Sequence, residues 1–246
     1  KYAANTFLAT RISFINEIAS LCEQLGVDVE EVRKGIGADQ RIGHHFIYAG
    51  CGYGGSCLPK DIRALMHMAT EQGAPMPILQ AVEARNQQQK GWPLRMLQRE
   101  LGNLQGRTLA IWGLAFTPGT DDIRDAPSLT LLDALLACGA HVQAFDPVAG
   151  ANIAQHYSSA VSAGQLQLFH DPYAALNEAQ ALVLLTEWKL FRQPDFRLMA
   201  QRMRTPLLID GRNQYDPQTM QELGFRHVGV GRQGAPVAQP VLREVI

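Results

Sequence analysis

Leu109-Ala110-Ile111-Trp112, followed at once by Gly113-Leu114-Ala115-Phe116, marks the point where the sequence changes character. Downstream of Gly106, short apolar runs alternate with helix-like patterns. Residues 142–145, 166–169, 181–185 and 207–209 read as further strands, and 127–138, 172–179, 195–203 and 217–223 as helices. Strand–helix alternation predicts a parallel sheet with helices on both faces. Strands buried on both faces lose the polar alternation of a half-exposed strand, as these do. The fold class expected is therefore α/β, with a Rossmann-like, doubly wound parallel sheet over 106–235. Residues 236–246, with Pro236 and Pro240, are expected to form a loosely held tail.

Upstream of this sheet the pattern is different, and an all-helical first domain is expected over 1–102. Leu8, Ile12, Ile15, Ala19 and Cys22 recur at helical spacing, and Gly26 is a fitting stop. Asp28 can cap a short helix reaching Lys34, closed by Gly35 and Gly37. A loop over 38–56 carries Gly43, Gly50, Gly52, Gly54 and Gly55, a density that allows sharp bends and close approach to a ligand. A helix then starts near Cys57, with Pro59 in its first turn. A last helical stretch opens at Pro77 and is interrupted by Gly91-Trp92-Pro93.

Composition narrows the function classes. Hydrophobic residues make up 46% and charged ones 18%, enough apolar material for a sizeable core in a soluble protein. A net charge of −1 with no basic run argues against nucleic acid as the main partner. Cys22, Cys51, Cys57 and Cys138 form no zinc-like spacing, so no metal site is expected, and a reducing cytoplasm suits them. Cys22 and Cys138 sit among apolar residues and read as buried thiols. No apolar run approaches a membrane span, and no membrane partner is expected. The chain begins at Lys1 rather than Met and enters a helical pattern at once, which reads as a piece of a longer protein.

Three places can carry chemistry. In Gly52-Tyr53-Gly54-Gly55-Ser56-Cys57-Leu58-Pro59-Lys60-Asp61 a thiol stands at a predicted helix start, where the helix dipole and free N–H groups favour thiolates in general. Asp61 follows one turn later on the same face, the arrangement of a nucleophile with a carboxylate for proton transfer. On the residues alone Cys57 reads equally as a small buried side chain. Lys1 and Asn5, four apart, can hold an oxyanion or sugar hydroxyls, or can simply belong to a solvated helix face. Gly113 after the first strand suits nucleotide approach or a plain strand–helix corner, but a complete Gly-x-Gly-x-x-Gly is absent. Arg124 and Arg212 follow strands one and five and can face the carboxyl edge of the sheet, where guanidinium forks match phosphate oxygens. No Gly-x-Ser-x-Gly is present to support a serine hydrolase.

Taken in order, these segments resemble the UDP-glucose/GDP-mannose dehydrogenase family. The resemblance runs over nearly the whole chain. It is carried by Lys1-Tyr-Ala-Ala-Asn5, Ile12-Ser-Phe-Ile-Asn-Glu17, Asp39-Gln-Arg-Ile-Gly43, the Gly52 to Asp61 motif, Gly113-Leu-Ala-Phe116, Thr120-Asp-Asp-Ile-Arg124-Asp-Ala-Pro-Ser128, Phe145-Asp-Pro147, Thr186-Glu-Trp188 and Asp210-Gly-Arg212. The family has an N-terminal Rossmann domain for NAD, a helical middle domain and a C-terminal nucleotide-binding domain, of which this chain resembles the last two. The resemblance implies an NAD-dependent, metal-free oxidation of a sugar CH₂OH to a carboxylate in two steps, through a thiohemiacetal and a thioester on Cys57. It implies that Lys1 and Asn5 stabilise the oxygen at the reacting carbon and that Asp61 positions or deprotonates water. It further implies substrate contacts by Arg41 (in a neighbouring subunit), Phe46, Tyr53, Gly54, Phe116 and Arg212, and an NAD pyrophosphate contact by Arg124.

A homodimer through the long first helix follows from the same resemblance. The glycine motif and Asp39-Gln-Arg-Ile-Gly43 favour UDP-glucose as substrate, while Leu58-Pro-Lys-Asp61 also resembles the GDP-mannose branch. Members acting on N-acetylated sugars typically carry His in place of Ser56. Two departures stand out: Thr117 where lysine is frequent, and Cys51 where proline is frequent. Without the NAD domain the chain is expected to bind a nucleotide sugar but not to turn it over.

Overall fold

The computed structural model describes residues 1–232. The expected tail over 236–246 and the last residues of the expected second domain lie outside the described residues. Five helices come first: α1 (Tyr2–Leu25), α2 (Val29–Gly37), α3 (Leu58–Glu71), α4 (Pro77–Lys90) and α5 (Trp92–Leu101). Local chemistry sets their ends. Gly26 takes the left-handed conformation (φ 73°) and closes α1, and the Asp28 side chain accepts from Glu30 N to start α2. Gly91 both ends α4 and opens α5, whose Pro93 sits in the first turn.

A six-stranded, wholly parallel sheet follows: β1 (Thr108–Trp112), β2 (His141–Phe145), β3 (Leu166–Leu168), β4 (Leu182–Leu184), β5 (Leu207–Asp210) and β6 (Arg226–Gly229). Their order is β3-β2-β1-β4-β5-β6, so the order reverses between β1 and β4. That is the doubly wound arrangement, whose crevice outside the carboxyl ends of β1 and β4 is the usual ligand position. Helices α6 (Pro127–Ala137), α7 (Gly150–His156), α8 (Ser158–Ser162), α9 (Phe196–Arg202) and α10 (Pro217–Glu222) connect the strands. Where a helix is expected over 172–179, only a 3₁₀ turn (Ala174–Leu176) forms, ended by Asn177 and by Glu178 at positive φ.

The strand residues alternate between two cores. Leu109, Ile111, Val183 and Ile209 join α5, α6 and the α1 residues Ile15, Ala19 and Cys22. Ala110, Trp112, Leu182, Leu184 and Leu208 join Phe191, Met199 and Met220 on the other face. Trp112 stacks on Phe191 at 4.9 Å and donates to Pro172 O. One apolar core therefore runs from α1 through to the sheet. Cys22 is buried as expected, whereas Cys138 is only half-buried. No helix among the described residues is long and apolar enough to cross a membrane.

The corner after β1 is tight. Gly113 has φ 88°, and a Cβ there would stand 2.6 Å from Thr186 N at the end of β4. Gly113→Ala is expected to destabilise the chain by roughly 2–4 kcal/mol, since overpacking and positive-φ strain combine. Urea unfolding measures this, and a loss below about 0.5 kcal/mol would show that β1 and β4 do not meet so closely.

Candidate active site

The glycine loop ahead of Cys57 lies across the carboxyl edge of the sheet, held by its backbone on both sides. From the helices, Asn16 Oδ1 accepts from Gly50 N, and Gln89 Nε2 donates to Gly50 O. Asn86 brackets Tyr53, accepting from its N and donating to its O, each at 3.0 Å. From the sheet, Gly211 O accepts from Cys51 N at 2.8 Å, Arg212 Nη1 donates to Gly52 O, and Arg124 O accepts from Gly55 N at 2.7 Å. The side chains that would interfere are missing. A Cβ on Gly54 would meet Asp125 O at 2.3 Å, and one on Gly55 would meet the Phe116 ring at 2.6 Å.

Cys57 emerges from this loop at the N-cap of α3 and is exposed. Asp61 N donates to Cys57 O at 2.9 Å, placing thiol and carboxylate one helical turn apart. The Asp61 side chain is wholly buried, and donors from two helices converge on it. Asn5 Nδ2 lies at 2.6 Å, Lys60 Nζ at 2.5 Å and Lys1 Nζ at 3.8 Å. The Lys60 ammonium, followed by the Asn5 amide and the Lys1 charge, holds the Asp61 carboxyl below its ordinary value against the opposing effect of burial. In return Asp61 raises Lys60. A carboxylate so fully engaged is a weak base; the geometry suits it to orienting Asn5 and Lys1.

Arg212 stands where β4 and β5 end. Its Nε donates to Leu185 O at 2.7 Å, and Glu187 lies 3.4 Å away. The Asp210 carboxylate beneath it accepts from Arg212 N and Tyr215 N and faces His227 at 3.3 Å, so strand β6 supports the Arg212 turn. Arg124 projects from the loop that caps Gly55. It pairs with Asp122 at 2.7 Å, is 69% exposed and lies within electrostatic reach of Cys57.

Lys1, Asn5, Cys57 and Asp61 are thus brought together, with Gly54, Phe116, Arg124 and Arg212 around the same loop. Tyr53 lies within the same loop. Its ring packs with Ala9, Ile62, Leu79 and Val82 between α1, α3 and α4, because Asn86 turns its backbone toward the loop and its side chain inward. Arg41 folds onto Asp39 at 2.6 Å and is 88% exposed, and Phe46, at φ 60°, is exposed on the same segment. Cys51 is buried against Gly211, and that burial pushes its thiol up, so it is a packed neighbour of the loop and not a second exposed thiol.

The switch point of the sheet is itself filled. Asp146, directly after β2, accepts from Leu114 N, Ala115 N, Val148 N, Ala149 N and Trp188 Nε1. Leu114 N and Ala115 N belong to the turn after β1, where a dinucleotide phosphate would seek its donors. The residues present there do not fit a dinucleotide, in line with the missing glycine fingerprint. Among the described residues no cluster of three or more His, Cys, Asp or Glu could hold a metal ion. Lys60, Asn86, Gln89 and Asp146 escape sequence reasoning. Only the spacing of Asn86 and Gln89 on one helix face hints at a shared task.

Residues 1–88 match the central domain of the UDP-glucose/GDP-mannose dehydrogenase family, and residues 110–217 match its UDP binding domain. The chain belongs to that family. It is 60% identical over 237 residues to a UDP-glucose 6-dehydrogenase of Pseudomonas aeruginosa, covering 94% of this chain and 51% of that protein. It is 40% identical to the UDP-glucose 6-dehydrogenase TuaD of Bacillus subtilis, covering 98% of this chain and 51% of the relative. The structure of a UDP-glucose dehydrogenase from Pyrobaculum islandicum superposes with a TM-score of 0.80 at 34% identity, covering 95% of this chain and 50% of that one. The chain spans about half the length of these relatives.

The Asp61 geometry has a measurable consequence. Its carboxyl should titrate below the ordinary aspartate value of 3.8, and the stability that the carboxylate contributes should be present at neutral pH and lost as pH falls through that depressed value. Carbon-detected NMR of the Asp61 carboxyl measures it. Asn5→Ala should move the midpoint upward, and a midpoint above 3.8 in the unaltered chain would contradict the arrangement.

Proposed function

We propose that the protein to which this chain belongs oxidises UDP-glucose to UDP-glucuronate with NAD, and that this chain supplies the cysteine half of the active site. The observation that carries the reading is the exposed thiol of Cys57 at a helix start, one turn from a buried carboxylate that binds Lys60, Asn5 and Lys1. In the proposed chemistry the sugar CH₂OH loses two electrons and becomes an aldehyde. The Cys57 sulfur then adds to the aldehyde carbon, forming a C–S bond and a thiohemiacetal. Loss of a second hydride gives a thioester, and water cleaves its C–S bond to leave a carboxylate and return the thiol.

Two NAD⁺, bound one after the other, would each take one hydride, and the accompanying protons would leave to water. Lys1 and Asn5, anchored by Asp61, donate to the oxygen that gains charge on the reacting carbon. Asp61 keeps that pair aimed and orders the attacking water. The sheet's own switch point is closed by Asp146, so the cofactor belongs to a part of the longer protein outside this chain. The exposed Arg124 fits a phosphate reaching across from it. Arg212, Gly54 and Phe116 frame the nucleotide sugar on the sheet side, and residues 1–102 form the helical domain on the other.

A homodimer belongs to the same reading. Phe7, Phe14, Leu21 and Leu25 lie exposed along α1 at nearly heptad spacing, and Arg41 lines a groove with Phe7, Phe14 and Ile42. From there Arg41 and Phe46 would serve the partner's substrate. Four free cysteines, the exposed Cys57 among them, suit a reducing cytoplasm. GDP-mannose is the second reading of the substrate, favoured by Leu58-Pro-Lys-Asp61.

Titration calorimetry of the chain with UDP-glucose, GDP-mannose and UDP-N-acetylglucosamine tests the substrate. Selective binding of UDP-glucose is expected, and preference for either competitor would overturn the assignment. The chain alone should not reduce NAD. For the dimer, Phe14→Glu should convert the species seen by light scattering from dimer to monomer, and an unchanged mass would move the interface away from α1.

A further inference from the structure

The buried ammonium of Lys90 and the left-handed backbone of Asp125 are not used by the chemistry above. Lys90, the last residue of α4, is 3% exposed, and its aliphatic stem lies directly under Gly52. Its Nζ stands 3.9 Å from Asp125 Oδ1. Asp125 has φ 51°, a conformation that Asp and Asn tolerate better than other side chains. It presents its carbonyl to Gly54 and its carboxylate to Arg63.

Arg63 comes from α3, the helix that Cys57 caps. Its two terminal nitrogens meet the two Asp125 oxygens at 3.3 and 3.2 Å, a fork-to-fork pair, and the same guanidinium reaches Glu83 on α4 at 3.2 Å. Asp125 follows Arg124, whose carbonyl accepts from Gly55 N. One aspartate thus ties the loop after β1 to the cysteine helix through Arg63 and to α4 through Lys90, while its own backbone closes over the glycine loop. Burial holds Lys90 below its ordinary value, opposed first by the charge of Asp125 and then by that of Glu83.

We propose that Asp125, through its paired bond to Arg63 and its charge contact with Lys90, is a positioning residue that fixes the Cys57 helix against the Arg124 loop. This rests on the proposed activity for its catalytic consequence, but not for its structural one. The cluster touches neither thiol nor sugar; it acts by holding two elements that arrive from different parts of the chain. It also explains why an aspartate is tolerated at a backbone conformation that glycine would adopt without strain. Glycine would fit the turn but would leave Arg63 with Glu83 alone and Lys90 buried without its nearest anion.

The test uses the full-length protein carrying this chain, with Asp125→Asn, Arg63→Met and the double variant. Asparagine keeps the tolerance for positive φ and removes only the charge. Arg63 is half-exposed, so its replacement leaves the core intact. Hydrogen exchange across residues 50–61 should quicken by about tenfold in each single variant, with no further change in the double, while strand β5 keeps its protection. Unchanged exchange in the loop, or equal loosening of β5, would overturn the inference. In turnover, kcat should fall by about tenfold with KM for the nucleotide sugar nearly constant, as displacement of reacting groups predicts. A fall expressed only in KM would also overturn it. Should Asp125→Asn fold poorly, Lys90→Met combined with Asp125→Asn removes the unpaired charge; exchange in the loop should remain fast. If the unaltered enzyme does not turn over UDP-glucose, the proposed activity fails, and the exchange result still decides this inference.

Discussion

Everything at this site depends on a short backbone run, residues 50–55, held by hydrogen bonds from both sides. Asn16, Asn86 and Gln89 satisfy it from the helices; Gly211, Arg212 and Arg124 satisfy it from the sheet. Each buried amide or carbonyl left without a partner would cost about 1–3 kcal/mol, so sliding the run by one residue is prohibitive. The glycines supply the other half of the constraint. They admit the Phe116 ring and the Asp125 carbonyl at distances that no Cβ permits. Cys57 inherits its place from this clamp.

The clamp also accounts for where the site lies. Doubly wound sheets usually bind ligands in the crevice at their switch point. Here Asp146 occupies the amide donors of that crevice, acting as a built-in anion. The glycine loop that leads to Cys57 lies further along the carboxyl edge, beside β4 and β5, where the helical segment rests on the sheet. One sheet thus serves as a platform while α1 and α3 bring the reactive groups. The continuous core from Ile15 to Ile209 keeps platform and reactive groups in register.

The parts of this arrangement differ in how far the sequence reveals them. Strands β1, β4 and β5 are legible because burial on both faces forces unbroken apolar runs, as in Leu109 to Trp112; β2 and β3 keep enough apolar residues around Gln143 and Gln167 to read as strands. Strand β6 is not, because its sequence, Arg226-His-Val-Gly, carries one aliphatic side chain and serves the Asp210 turn as much as the core. Helices α7 and α8 are short and weakly apolar and leave no periodic signal. At the site, Cys57, Asp61, Lys1 and Asn5 are legible from helical spacing and family resemblance. The inward turn of Tyr53, the Lys60 contact and the Asn86 bracket are not, since each depends on which element packs opposite. Asp146 is hidden for the same reason: a carboxylate after a strand reads as a ligand contact until the neighbouring turn is seen to bind it.

The central claim is that Cys57 forms a covalent bond to the substrate carbon. Rapid acid quench of the full-length enzyme with UDP-glucose and NAD, followed by peptide mass spectrometry, tests it most directly. The account predicts a UDP-glucuronyl adduct confined to the peptide carrying Cys57, absent in Cys57→Ser. An adduct on another residue, or full conversion to UDP-glucuronate by Cys57→Ser, would contradict it.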